Sequence, residues 1–195
     1  MRSAQFTRRT LETEISANLT LDGDGESTVN SGIGFFDHML LLLARHAGLI
    51  LELKAEGDLQ VDCHHTVEDI GIVIGQLIAR AVGDKRGIRR YGEATVPMDE
   101  ALVQSVIDFS GRPFLMFKAT IRSERVGDLE TQMVEEFFRA VAFNAGMTLH
   151  MICYYGENDH HIIEGLFKAF ARSLRTAMSI DPEHPDAILS TKGSL

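Results

Sequence analysis

Asp62-Cys63-His64-His65-Thr66-Val67-Glu68 and Asn158-Asp159-His160-His161-Ile162-Ile163-Glu164 are one pattern written twice, with the histidine pairs 96 residues apart. Each copy is preceded by the same signals. An apolar run ends at a glycine, Gly48 or Gly146, and an alternating stretch follows, Leu49 to Glu56 in the first copy and Met147 to Tyr155 in the second. A glycine after an apolar periodic run reads as a helix stop, and strict alternation reads as a half-buried strand. From His64 to Val82, Ile70, Val73, Ile74, Leu77, Ile78 and Ala81 recur at helical spacing, and His160 to Met178 behaves likewise. Both His-His-x-x-Glu patterns therefore open a helix.

Working outward, the helix that stops at Gly48 starts near Gly34-Phe35-Phe36-Asp37-His38, and its counterpart runs from about Thr131 to Ala145. Strand-like residues fill Gln5 to Leu21, Glu93 to Phe109 and Phe114 to Ile121. Asp22-Gly23-Asp24-Gly25 is a turn signal and predicts a hairpin after the first strand. The tail beyond Asp181, with Pro182, Pro185 and Gly193, reads as irregular. The order of strands, helix, strand, helix occurs twice. It predicts an α+β fold of two pseudo-symmetric repeats, each a small β-sheet packed against two helices. The repeats fall at 1–92 and 93–180, with a tail at 181–195. No Pro/Ser-rich linker separates them, so one compact unit is expected.

Composition narrows the function classes. The 195 residues are 45% hydrophobic and 24% charged, as in ordinary globular chains. No apolar run approaches the roughly 20 residues that span a bilayer. Cys63 and Cys153 are the only cysteines, so a disulfide framework is excluded and a cytoplasmic location is expected. A net charge of −9 argues against a nucleic-acid partner, which would need a basic face.

The chemistry is written in the histidines. On a helix His64 and Glu68 are i and i+4 and share a face, while His65 points about 100° further round. Adjacent histidines on a regular helix do not grip one ion easily, but each can serve a different ion. A single His-His pair at a helix start is ordinarily solvated or satisfied by carbonyls. Its recurrence at the matching point of a repeat points instead to two metal sites. One would take His64, Glu68 and His161, the other His160, Glu164 and His65, within one chain or across a subunit contact. Imidazole with carboxylate suits Mn²⁺, Fe²⁺, Co²⁺ or Zn²⁺. His38, on the first repeat's other helix, is a further candidate ligand; its counterpart 98 residues on is Glu136.

Over essentially its whole length the sequence resembles the imidazoleglycerol-phosphate dehydratases. The resemblance is carried by Arg8-Arg9-Thr10-Leu11-Glu12-Thr13, Gly34-Phe35-Phe36-Asp37-His38-Met39-Leu40, both His-His-x-x-Glu segments, Gly87-Ile88-Arg89-Arg90-Tyr91-Gly92, Ser110-Gly111-Arg112-Pro113, Phe167-Lys168-Ala169-Phe170-Ala171-Arg172 and Ser190-Thr191-Lys192-Gly193. It implies a manganese-dependent lyase of histidine biosynthesis that removes water from imidazole glycerol phosphate to give imidazole acetol phosphate. It also implies two Mn²⁺ per subunit and a homo-oligomer, a 24-subunit shell with active sites at subunit contacts. The metal ligands carried over are His38, His64, His65, Glu68, His160, His161 and Glu164. Glu12 matches a substrate-contacting glutamate. Arg90, Arg112, Lys168, Ser190 and Lys192 match the groups that hold the substrate, chiefly its phosphate. Three departures stand out: Glu136 where the family often has histidine, Cys63 in place of aspartate, and Leu41-Leu42 in place of polar residues.

The reaction makes sense of these residue types. A carboxylate must take a carbon-bound proton, and Glu12, Glu68 and Glu164 are the candidates. Fixed Arg and Lys donors would anchor a phosphate monoester, and the Ser190–Gly193 tail is expected to order over it. A dinuclear phosphohydrolase would be expected to show more aspartate ligands, and a metal-storage protein would not need the Arg and Lys set.

Overall fold

The computed structural model describes residues 2–23 and 25–193. Strands β1 (Ser3–Arg9) and β2 (Thr13–Thr20) form an antiparallel hairpin. Short β3 (Thr28–Asn30) leads into helix α1 (Gly34–Ala47), then β4 (Ile50–Gly57) and α2 (His64–Val82). The first sheet has the order β1-β2-β4-β3, with β3 parallel to β4. A parallel pair needs a crossover, and α1 is that crossover.

The second half repeats this topology. Strands β5 (Tyr91–Met98), β6 (Ala101–Asp108), β7 (Phe114–Lys118) and β10 (Thr148–Tyr155) form a sheet of order β5-β6-β10-β7. Its parallel pair, β7 and β10, is joined through helix α3 (Met133–Ala145). Helix α4 (Asp159–Met178) closes the chain's regular structure. Between β7 and α3 lies an extra hairpin, β8 (Arg125–Val126) with β9 (Leu129–Glu130), which sequence periodicity does not signal.

Helix α2 lies on β1 and β2 and packs on α3; α4 lies on β5 and β6 and packs on α1. The result is sheet, two helical layers, sheet, as the duplicated pattern predicted. Alternation positions the sheets: Thr13, Ile15, Ala17 and Leu19 of β2 are buried, while Glu14, Ser16 and Asn18 face out. An aromatic cluster joins the helices at the centre. Phe36 of α1 meets Phe137 of α3 at 5.2 Å between ring centroids, and Phe167 of α4 meets Phe137 at 5.3 Å and Phe138 at 4.9 Å. Close approach is also built in at Gly92, where a Cβ would lie 2.0 Å from the Ser173 carbonyl oxygen and force β5 off α4.

One expectation is overturned. The Asp22–Gly25 turn makes no hairpin; Asp24 itself lies outside the described residues. The partners of β2 are β1 and β4. The hairpin turn is at Thr10–Glu12, where the Thr10 hydroxyl accepts from the Glu12 and Thr13 amides at 3.1 and 2.9 Å. A threonine-built turn has no Gly or Pro to advertise it. Similarly, the stretch Glu93 to Phe109 breaks into β5 and β6 at Asp99-Glu100, with Asp99 left-handed at φ 47°. The expected repeat boundary at 92/93 falls inside β5, whose pairing starts at Tyr91.

The tail is irregular, as predicted, but docked. Gly87 N–H donates to Ala187 O at 2.8 Å and Asp181 N–H to Gly87 O at 2.7 Å. Gly87 is left-handed at φ 71°, and a Cβ there would sit 2.0 Å from the Pro185 carbonyl oxygen, so only glycine fits. Ser194 and Leu195, the end of the expected tail segment, lie outside the described residues. Among the described residues no helix is long and apolar enough to cross a membrane.

Candidate active site

Both His-His patterns sit on the first turn of a helix held by an Asx side chain. Asp62 accepts from the His64 amide at 2.7 Å, and Asn158 accepts from the His160 and His161 amides at 2.9 and 3.3 Å. These caps satisfy orphan N–H groups and fix where each helix begins, hence where its histidines point.

Around α4 three donors converge. His160 Nε2 is 3.2 Å and His38 Nε2 is 3.5 Å from Glu164 Oε2. Among the described residues, these three form the one set with ligand atoms all within 4.8 Å of one another. Ligands at about 2.1 Å from one ion at right angles are about 3 Å apart, so the spacing and the imidazole–carboxylate chemistry fit a divalent metal. The other oxygen, Glu164 Oε1, accepts from Lys168 Nζ at 2.6 Å. Burial works against ionising Glu164, but the Lys168 hydrogen bond and charge, with His160, hold its carboxyl below the usual range.

Around α2 the arrangement is looser. His64 Nε2 lies 3.8 Å from Glu68 Oε2, and among the described residues no third donor joins them. By repeat symmetry the third would be Glu136 of α3, which pairs instead with Arg139 at 3.4 Å. The second histidine of each pair points away from the cluster of the first and is oriented by a carboxylate. His65 Nδ1 meets Asp58 at 3.0 Å, and His161 Nδ1 meets Glu100 at 2.7 Å. These hydrogen bonds raise both imidazole pKa values. Glu100 in turn accepts from the Asn158 and Glu157 amides, and these amides with His161 bring its pKa down to about 2. An ionised carboxylate only accepts, so Nδ1 of each ring carries a proton, and His161 Nε2 lies 3.7 Å from a second carboxylate, Asp99 Oδ2. The expected exchange of His65 and His161 between the two sites is not made within one chain.

Most of the residues expected to hold the phosphate lie together elsewhere. Arg90, Arg112, Ser190 and Lys192 line one pocket with Tyr91 and residues 188–191. Arg90 is left-handed at φ 67° and grips Asp108 at 2.7 and 3.1 Å and the Leu189 carbonyl at 2.6 Å, so it holds the tail as well as lining the pocket. Arg112 is 71% exposed, with its guanidinium 4.0 Å from Asp108 Oδ2 and donating to the Ser110 carbonyl at 3.3 Å. Lys168 does not join them; it serves Glu164. Glu12 is exposed in the β1–β2 turn, where its charge reaches His65. Cys63 is buried, burial raises its pKa, and it offers no donor to the metal-type cluster. Leu41 is partly exposed and Leu42 half-buried, and neither supplies a polar contact.

Sequence reading missed Asp58 and Glu100. Glu100 is 61 residues from His161 and reaches it only because α4 packs on β6. Asp58 is seven residues before His65, just past the end of β4, and no periodicity marks it.

Comparison with known proteins places the chain by sequence and fold. The family model described as imidazoleglycerol-phosphate dehydratase matches residues 31–174. The imidazoleglycerol-phosphate dehydratase of Heliobacterium modesticaldum is 58% identical over 195 residues, covering 100% of both chains. That of Exiguobacterium sp. is 56% identical over 193 residues, 99% of this chain and 98% of its own. The crystal structure of the Staphylococcus aureus enzyme superposes with a TM-score of 0.84 at 44% identity, covering 92% of this chain and 99% of that one. That of the Pyrococcus furiosus enzyme, in complex with (S)-C348, also gives 0.84, at 32% identity and covering 97% and 100%. With the repeated fold and both His-His-x-x-Glu helices in place, the chain belongs to the imidazoleglycerol-phosphate dehydratase family.

Proposed function

We propose that this chain catalyses the manganese-dependent dehydration of imidazole glycerol phosphate to imidazole acetol phosphate in histidine biosynthesis, at sites shared between subunits of a homo-oligomer. One observation carries the reading: the metal-type cluster and the anion pocket are both present, at opposite ends of α4. Glu164 is in its second turn, and the Arg90 amide donates to Ala177 O near its end. Thirteen helical residues span about 20 Å. Strand β6 gives a second ruler, since Glu100 before it touches His161 and Asp108 at its end holds Arg90, about 25 Å away. The substrate separates ring from phosphorus by a few bonds of about 1.5 Å each, about 6–7 Å in all. The α4 cluster and the pocket of one chain are thus too far apart for one substrate molecule, which supports a site shared between two chains.

In this reading His38, His160 and Glu164 hold one Mn²⁺, and His64 with Glu68 starts the second site. His65 and His161, oriented by Asp58 and Glu100, complete sites across subunit contacts. Bound manganese supplies a Lewis acid that stabilises charge on the ring as the C–O bond breaks. The chain's own groups do the rest. Arg112 and Lys192 grip the phosphate and orient the side chain. Glu164 is committed to Lys168 and two imidazoles, so Glu12, exposed and close enough for its charge to act on His65, takes the carbon-bound proton, and the same carboxyl returns a proton to the departing hydroxyl, which leaves as water.

The direct test is turnover of imidazole glycerol phosphate by metal-stripped protein with and without Mn²⁺. Restored turnover is expected; a folded, metal-loaded protein with none overturns the reading. Site sharing has its own test. Assayed at substrate well below KM, where each variant alone is strongly impaired, Glu164→Gln and Arg112→Ala subunits are expected on co-assembly to regain about a quarter of wild-type sites if the two halves come from different chains. No recovery places both halves in one chain. Arg112→Ala alone should lower kcat/KM about 10–100-fold, mainly through KM, because phosphate binding is shared by ground and transition states.

Glu100→Gln probes His161. Its amide oxygen can still accept from Glu157 and Asn158, which turns the NH₂ toward His161 Nδ1 and moves the imidazole proton to Nε2. Mn²⁺ affinity is expected to fall about 10–100-fold with little change in thermal stability. Unchanged affinity in a metal titration would show that His161 is not a ligand.

A further inference from the structure

We infer that Asp128, at the tip of the β8–β9 hairpin, is a positioning residue for the His38–His160–Glu164 half-site; the inference rests on the metal reading above. Helix α1 begins without a cap of its own, since Ile33 at the N-cap position has no side-chain acceptor. The missing acceptor arrives from more than 90 residues away. Asp128 Oδ2 accepts from the Gly34 amide at 2.6 Å and Oδ1 from the Phe35 amide at 2.9 Å. The hairpin tip sits directly on this turn: a Cβ on Gly127, itself left-handed at φ 60°, would lie 3.1 Å from Phe35 Cβ.

The same segment also holds α4. The amides of Arg122 and Ser123 donate to the buried Asp159 carboxylate at 3.1 and 2.7 Å. Thr131, at the segment's other end, closes it by donating from its hydroxyl to Ser123 O at 2.6 Å. One short strap, Arg122 to Thr131, thus grips the first turn of α1 at one point and the first turn of α4 at another. His38 is one turn beyond Phe35, and His160 follows Asp159. Phe35's ring also stands edge-on against His160, 5.0 Å between centroids at 67°.

Elsewhere α1 and α4 meet through apolar side chains such as Phe36 and Phe167. Apolar packing sets how close two helices lie, but it is not directional and tolerates rotation about a helix axis. Two hydrogen bonds from one carboxylate are directional. Asp128 therefore sets the phase of α1, and with it the 3.5 Å approach of His38 to Glu164. Neither the repeat nor the family motifs quoted above include this residue, and the first half has no hairpin at the equivalent place.

The test uses the full assembled protein as Asp128→Ala and Asp128→Asn, each followed by Mn²⁺ titration, thermal unfolding and a crystal structure. Asn keeps one carbonyl oxygen and can satisfy one of the two amides. Asp128→Ala is expected to lose about tenfold or more in affinity at one class of Mn²⁺ site while the other class is unchanged, with Asp128→Asn in between. Unchanged affinity at both classes, or an equal fall at both, overturns the positioning role. If the wild-type protein binds no Mn²⁺, the metal reading fails and the crystal structures decide alone. A His38–Glu164 separation that lengthens in Asp128→Ala supports the role, and one that stays at its wild-type value overturns it.

Discussion

Glu164→Gln is expected to lower dehydratase turnover by about 10²–10⁴-fold, the largest single effect on activity that the site predicts. The carboxylate touches His38, His160 and Lys168 at once, from a side chain only 9% exposed. Glutamine is isosteric but neutral, so one metal donor is weakened. Lys168, 19% exposed, also loses its counter-charge. Stranding a largely buried ammonium costs about 2–3 kcal/mol of folding stability. The two effects separate in a double variant. Adding Lys168→Met to Glu164→Gln removes the stranded charge and should return most of the stability while turnover stays lost. Stability measured by urea unfolding and turnover measured in parallel would check this. Recovery of turnover in the double variant would mean that Glu164 acts only by holding Lys168.

Phe167→Ala is expected to cost about 3–5 kcal/mol of stability. Its ring is fully buried and touches Phe36 of α1 and both Phe137 and Phe138 of α3, so it lies where three helices converge. Truncation forfeits the transfer energy of the ring, and it leaves a cavity that cannot collapse, because these neighbours belong to different helices held by separate sheets. Phe167 is also i+3 from Glu164 on α4, so loosening it should weaken metal binding secondarily. A loss below about 1 kcal/mol in the urea midpoint would show that the helical layers repack freely and that the cluster is not the core's centre.

Much of the fold was legible because its cues are local. The stop at Gly48 shows as a left-handed cap whose amide bonds back to Ala44 O, as a glycine after an apolar run requires. The start of α2 at His64 coincides with the predicted position because Asp62 caps it two residues earlier. The duplicated order of elements even carried the correct pairing of helices with sheets. The Thr10–Glu12 turn and the β8–β9 hairpin escaped, since one is built from a threonine hydroxyl and the other is too short to show a period.

For the site, residue types and helix faces can be read from the chain alone. His64 and Glu68, or His160 and Glu164, share a face by helical periodicity, whatever surrounds them. Which donors meet cannot be read this way. That His38 rather than His65 joins His160, that Glu100 orients His161, and that the Arg90–Arg112 pocket lies about 20 Å from the His38–His160–Glu164 cluster all depend on contacts between residues far apart in sequence. Periodicity specifies direction relative to a residue's own helix axis. The position of one axis relative to another is set by nondirectional core packing and a few long-range hydrogen bonds, and these exist only once the chain has folded.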